Sequence, residues 1–224
     1  MRTGIYPPGI AALWDPEGVR SLAFSRWAEH QGMGEMFIAG PVTVFCVGEP
    51  RPLTWSNEYT SGVFLGELYE PEQTQKALIE TGKPIDINAT AMVAASYAAW
   101  GEEGLERLEG VFCTVFWDTR KAQLVLYRDG SCGHTLYWCR IDGVVAMATR
   151  LDILTEIPDV PKAIGERGLH EYLRFLDISP PNTIYAGIQV LEPGQSAVLH
   201  DAGLEYAHPP GAALAEKRTP TRSN

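Results

Sequence analysis

Val111-Phe-Cys-Thr-Val-Phe-Trp117 carries apolar side chains at every position except Thr114. A strand with one wet face alternates polar and apolar residues, so an unbroken apolar run predicts a strand covered on both faces. A turn at Asp118–Lys121 leads from it into Gln123–Tyr127. Thr135–Cys139 and Val144–Ala148 follow, separated by Asp142-Gly143, a dipeptide suited to a two-residue hairpin turn. Together the four segments read as an antiparallel meander buried on both faces.

Working outward, helices flank this centre. Upstream, Gly9–Trp14 reads as a short buried strand ended by Asp15-Pro16, and residues 17–30 as a helix with Val19, Leu22, Ala23 and Trp27 on one face. Val42–Val47 and Gly62–Tyr69 are two more strands; the rest of the first forty residues reads as loop. Pro71–Thr81 has a helix start in its Pro and acidic residues and a stop at Gly82. The next helix aligns Met92, Val93, Ser96, Tyr97 and Trp100, with Gly101 and Gly104 interrupting before Leu105–Leu108. Downstream, Leu169, Tyr172, Leu173 and Leu176 fall at i, i+3, i+4 and i+7, the stripe of an amphipathic helix. Ser196–His200, after Pro193-Gly194, reads as the last strand. Helices before and after buried antiparallel sheet predict an α+β fold with helical layers on both sides.

The chain has 224 residues, of which 45% are hydrophobic and 10% aromatic, a composition that excludes a disordered chain. Asp and Glu number 28 against 18 Lys and Arg, a net charge of -10 that argues against general nucleic-acid binding. No apolar run reaches membrane-spanning length, and Met1-Arg-Thr-Gly-Ile-Tyr-Pro-Pro lacks the apolar centre of a signal peptide. Cysteines at 46, 113, 132 and 139 form no C-x-x-C pair, which fits a reduced cytoplasmic protein. Residues after His208 turn polar and read as a linker or tail.

Cys132-Gly133-His134 is the triplet richest in chemistry. It offers a nucleophile with its base, or half of a metal site with Cys139. Asp129-Gly130-Ser131 and Gly133 mark a turn there, and a turn beside a sheet is the plainer reading. Cys46 and Cys113 lie in apolar strands and read as packing residues. His30, His170, His200 and His208 are isolated in the sequence, and no glycine-rich phosphate loop is present.

Longer motifs carry a resemblance. Trp100-Gly-Glu-Glu-Gly-Leu-Glu-Arg-Leu-Glu-Gly-Val-Phe-Cys-Thr-Val-Phe-Trp-Asp118 is similar to the Y-G-x-x-x-L-x-x-L-x-G-x-F-A-F-x-x-W-D pattern of the glutaminase domain of asparagine synthetases. Leu124–Trp138 resembles that family's L-x-L-x-R-D-x-x-G-x-K-P-L-Y-Y, and Leu65-Gly-Glu-Leu-Tyr-Glu70 its N-G-E-I-Y-N. Leu169–Gly194 resembles its L-x-x-Y-L…T-I-F-x-G-I-x-x-L-x-P-G. The resemblance spans residues 8–206, with 1–7 as an N-terminal extension and 207–224 as a linker or tail. It implies the four-layer αββα sandwich of N-terminal nucleophile hydrolases.

In active members of that family a cysteine follows the initiator Met and supplies both thiol nucleophile and α-amino base. The matching segment here places Pro8 at that position. The resemblance further assigns Leu65 to the asparagine whose amide helps form the oxyanion hole; one such donor is worth about 2.7–4 kcal/mol. Gly66 and Glu67 are retained. The aspartate that grips the substrate amino group matches Ala89 within Asn88-Ala89-Thr90-Ala91, and the arginine segment for the α-carboxylate falls near Gly40–Val44, which offers no Arg. The expectation is a glutaminase fold without glutaminase chemistry, with no cofactor or metal of its own. β-Lactam synthetases and lasso-peptide cyclases carry such a domain, and their ATP site with its S-G-G-x-D-S loop lies in a separate synthetase half. ATP and Mg are therefore expected on an asparagine-synthetase-like partner, and the chain alone is expected to self-associate. The alternatives are a small-molecule binding module using the old glutamine pocket, or a residual hydrolase using Cys132 or Cys46.

Overall fold

The computed structural model describes residues 7–69, 71–80, 86–131, 133–200 and 203–206. Its first half runs β1 (Gly9–Trp14), α1 (Ser21–His30), β2 (Gly34–Ala39), β3 (Val42–Val47), β4 (Leu53–Ser56), β5 (Thr60–Leu68), α2 (Pro71–Ile79), α3 (Ala89–Trp100) and α4 (Glu102–Glu106). The second half adds β6 (Gly110–Asp118), β7 (Gln123–Arg128), β8 (Tyr137–Ile141), β9 (Val144–Ala148), α5 (Leu151–Glu156), α6 (Glu166–Phe175), β10 (Ile188–Val190), β11 (Ser196–His200) and β12 (Gly203–Tyr206).

Alternate side chains of β6 enter two different cores. Cys113, Val115 and Trp117 point into one, Phe112 and Phe116 into the other. That two-sided burial is why the strand reads as continuously apolar. The strands form two antiparallel sheets, one ordered β10-β8-β9-β1-β3-β2 and the other β12-β11-β7-β6-β5-β4. Between them lies a core that includes Ile10, Val44, Cys46, Leu126 and Met147. The outer face of the first sheet is covered through Phe24 and Ala28 of α1 and Ile153 and Leu154 of α5. Leu78, Met92, Val93, Tyr97 and Leu105, from α2 to α4, cover the second. The result is an αββα sandwich.

The expected meander is divided between the sheets. β6 and β7 pair in one and β8 and β9 in the other, so the chain crosses between sheets after Arg128 and before Tyr137. Hairpin strands buried on both faces carry the same apolar pattern whichever sheet they join, and periodicity cannot tell the two apart. Buried Arg128 and Asp129 fix the crossover. Arg128 donates from Nε to the His134 carbonyl (2.7 Å) and from Nη1 to that of Leu191 (2.6 Å). Asp129 accepts from the amides of Phe112 (3.1 Å) and Ser131 (2.6 Å).

Other differences have local causes. The first helix starts at Ser21 rather than at 17, because the Asp15 carboxylate takes the amides of Val19, Arg20 and Ser21 at 3.2, 2.7 and 2.9 Å. That ties residues 15–20 into a capping turn. The segment read as loop before residue 40 contains β2. β4, β10 and β12 also went unanticipated, and with β2 these four are the edges of the two sheets. The expected Thr135–Cys139 strand lies two residues later. In α6 the apolar stripe is present, but Leu169, Tyr172, Leu173 and Leu176 are exposed, and Gly168 alone is buried. Cys132, His208, the Gly82 stop signal, the proposed extension 1–7 apart from Pro7, and the proposed tail 207–224 lie outside the described residues. Among the described residues no helix is long and apolar enough to cross a membrane.

Candidate functional site

Pro8 precedes β1, which is anchored at once: Gly9 pairs with Val47, and the Ile10 amide donates to Thr149 Oγ1 at 2.9 Å. On the other sheet, the β5–β6 ladder sets Leu65 opposite Cys113, Gly66 opposite Phe112 and Glu67 opposite Val111. Gly66 has φ +127°, and a Cβ there would lie 2.0 Å from the Val111 carbonyl oxygen. Only glycine fits that backbone. These ends, the 50–53 turn and His134 enclose a cavity of about 360 Å³, within the usual range of small-ligand sites.

The structure thus brings together Pro8, Leu65, Gly66 and Glu67, four of the five positions singled out in the sequence. Ala89 is not among the lining residues. It lies in the first turn of α3 and packs against the core beneath the second sheet, so it does not make the pocket wall more apolar. Phe64, Val111, Pro52 and Leu53 complete the apolar wall.

Its polar groups are Arg51, Glu67, Tyr69 and His134. Gly40–Val44 offers no arginine, but Arg51 lines the cavity. It comes from the turn after β3 rather than from Gly40–Val44, its guanidinium lying over Gly34, with Nε 3.6 Å from Glu49 Oε1. The sequence carries a signal for it, since Pro50-Arg51-Pro52 fixes a turn with one charged residue at its centre. Burial holds His134 below the ordinary histidine value against the pull of Asp129, leaving a neutral imidazole at pH 7. Among the described lining residues none carries a thiol, and Tyr69 alone carries a hydroxyl. The cavity therefore offers apolar walls, a cation and a carboxylate, an arrangement suited to holding a small polar molecule.

The remaining candidates lie elsewhere. Cys46 and Cys113 sit between the sheets and Cys139 beneath the first sheet's helices, all buried. Burial pushes the Cys113 and Cys139 thiols up to about 12, so neither is a ready thiolate. Cys139 and His134 do not share a site. Among the described residues no group of three or more His, Cys, Asp or Glu side chains converges as metal ligands would.

Two antiparallel sheets between helical layers, with a pocket at the start of β1, make up the αββα fold of the N-terminal nucleophile hydrolases. Glutamine phosphoribosylpyrophosphate amidotransferase from B. subtilis, solved with ADP and GMP, matches 89% of this chain and 49% of its own, with TM-score 0.58 and 12% identity. The allosteric regulatory enzyme of purine biosynthesis matches 89% of this chain and 48% of its own, with TM-score 0.55 and 11% identity. These likenesses are of fold.

A family model for the glutamine amidotransferase domain matches residues 47–209, and the chain belongs to that family. Asparagine synthetase 3 of Bacillus subtilis is 22% identical over 180 residues, covering 80% of this chain and 29% of the relative. Asparagine synthetase 1 of the same organism is 25% identical over 155 residues, 68% and 24% respectively. A putative asparagine synthetase of Mycobacterium tuberculosis is 30% identical over 154 residues, 64% and 24%. The domain is related to those of the asparagine synthetases and spans less than a third of the length of these relatives.

Proposed function

We propose that this chain is a glutaminase-fold domain without glutaminase chemistry, the non-catalytic half of an ATP-dependent amide-forming enzyme of asparagine-synthetase type. The observation that carries the reading is Pro8 beside Leu65 at one cavity. A proline has no thiol or hydroxyl to attack an amide, and a leucine cannot donate to an oxyanion. An enzyme that joins an internal amine to an adenylated carboxylate needs no ammonia, so a β-lactam synthetase, a lasso-peptide cyclase or a related natural-product enzyme tolerates such a domain. Its role there is structural, supporting the synthetase half, which would bind ATP and Mg. Buried Cys113 and Cys139, neither of them in a disulfide, favour work in the reducing cytoplasm.

The test is release of ammonia or glutamate from glutamine by the purified chain and its Cys132→Ala variant. No turnover above a protein-free blank is expected. Turnover would overturn the reading, and its loss in the variant would assign it to Cys132. The intact cavity with Arg51 at its rim favours a second reading, a small-molecule binding module. Saturable binding of a small carboxylate, lost in Arg51→Ala, combined with indifference to every synthetase-type protein, would put that reading ahead.

A further inference from the structure

Helix α6 contradicts the usual fate of an amphipathic helix. On one face, Leu169, Tyr172, Leu173 and Leu176 are 39, 48, 69 and 79% exposed. The helix is not free to roll this face inward, because its other side is fastened. A Cβ on Gly168 would lie 2.1 Å from the Thr183 carbonyl oxygen, so the helix backbone presses directly on that segment. Beside it, Glu171 accepts from Asn182 Nδ2 at 2.9 Å and from the Ser179 amide at 3.2 Å. The polar and glycine side is thus used for attachment, and the apolar side is turned to solvent.

At about 200 Å² for a fully exposed side chain of this size, these four leave on the order of 470 Å² of surface in water. That lies within the range of the largest apolar patch of a monomer, and is more than half of the roughly 800 Å² that one partner contributes to a standard interface. The curated relatives also carry more than two-thirds of their length beyond the matched part, so in them a large body of protein accompanies this domain. We infer that the outward face of α6 is the docking surface for the synthetase half, seated in an apolar, helix-accepting groove with Leu173 and Leu176 at its centre. This assignment rests on the subunit reading proposed above and adds to it the surface that does the work.

The experiment uses the full chain and, as probe, a synthetase-type protein of the same genome that lacks a glutaminase-like domain of its own. Binding by calorimetry and hydrogen exchange of residues 166–176 are measured for the wild type, for Leu173→Glu/Leu176→Glu, and for Leu22→Glu, an exposed apolar residue on α1. The expected result is binding at least 100-fold weaker in the α6 variant, unchanged in the α1 variant, with residues 166–176 protected in the wild-type complex and melting temperatures alike. Equal binding by all three chains, or protection confined to other elements, would overturn the α6 assignment and leave the subunit reading standing. No binding by the wild type would remove both. Wild-type self-association that the α6 variant abolishes and the synthetase leaves untouched would instead make a second copy the occupant and refute the proposal.

Discussion

Arg128 Nη1 donates to the carbonyl oxygen of Leu191 at 2.6 Å, tying the end of β7 in one sheet to the segment that follows β10 in the other. The same guanidinium holds His134, and the Leu191 amide donates to the Leu136 carbonyl at 3.0 Å. One buried side chain therefore sets where the chain leaves one sheet and enters the next. Arg128→Met keeps much of the volume and leaves the buried Leu191 carbonyl and the half-buried His134 carbonyl without that donor. A loss of about 2–4 kcal/mol of stability is expected by denaturant titration. A variant within 0.5 kcal/mol of wild type would show that water or a neighbouring amide takes over.

Restoring a nucleophile alone is expected to fail. A chain trimmed so that a new initiator Met directly precedes Pro8→Cys still has Leu65 at the oxyanion position. Only the double change Pro8→Cys/Leu65→Asn has the required groups at this cavity; adding Ala89→Asp contributes nothing, because Ala89 is not on the wall. Glutamine-dependent ammonia release from the single variant would mean that another donor already faces the site.

Gly66→Ala is expected to cost stability although it adds one methyl group. The backbone at φ +127° and the Val111 oxygen at 2.0 Å leave no place for a Cβ without moving the β5–β6 ladder. An effect of about 2–4 kcal/mol follows if the strands must separate locally. The urea midpoint measures it, and a shift inside experimental error would contradict the geometry.

The Asp15 cap gives stability a pH dependence. Burial works to raise this carboxyl, but the hydrogen bonds from Arg20, Ser21 and Val19 outweigh it and hold it below its ordinary value. The folded state therefore binds the proton less readily than the unfolded chain does. The stabilisation is complete above an unfolded value of about 3.9 and disappears as the pH falls through the lower folded value. The gap in melting temperature between wild type and Asp15→Asn should be largest near pH 7 and close towards pH 3. A gap that is constant over that range would exclude the linkage.

Thiol reactivity tests two of the three cores. Cys46, Cys113 and Cys139 are buried, and burial keeps the latter two protonated. With an aromatic disulfide reagent these three should titrate only on unfolding. Two or more fast thiols in the native protein would show that one of the cores opens.

The sequence by itself determined the central strands, the helical layers and the cavity positions Pro8, Leu65, Gly66 and Glu67. Those signals are strong because β6, β1 and β3 are buried on both faces, and because glycine at Gly66 answers a backbone demand. Tertiary structure alone decided the rest. All four edge strands escaped sequence reading, since an edge strand such as β2 exposes Ile38 at 64% and β4 exposes Leu53 at 51%, blurring the apolar pattern. Partition of the hairpins between sheets depends on Arg128 reaching Leu191 across 63 positions of chain, a contact that no local periodicity encodes. Arg51 entered the cavity, and Ala89 stayed out of it, through the path of a turn and the pitch of a helix. The stripe of α6 was visible in its spacing, but spacing reports only that a helix has an apolar face. Which way that face turns was settled by Gly168 pressing on Thr183.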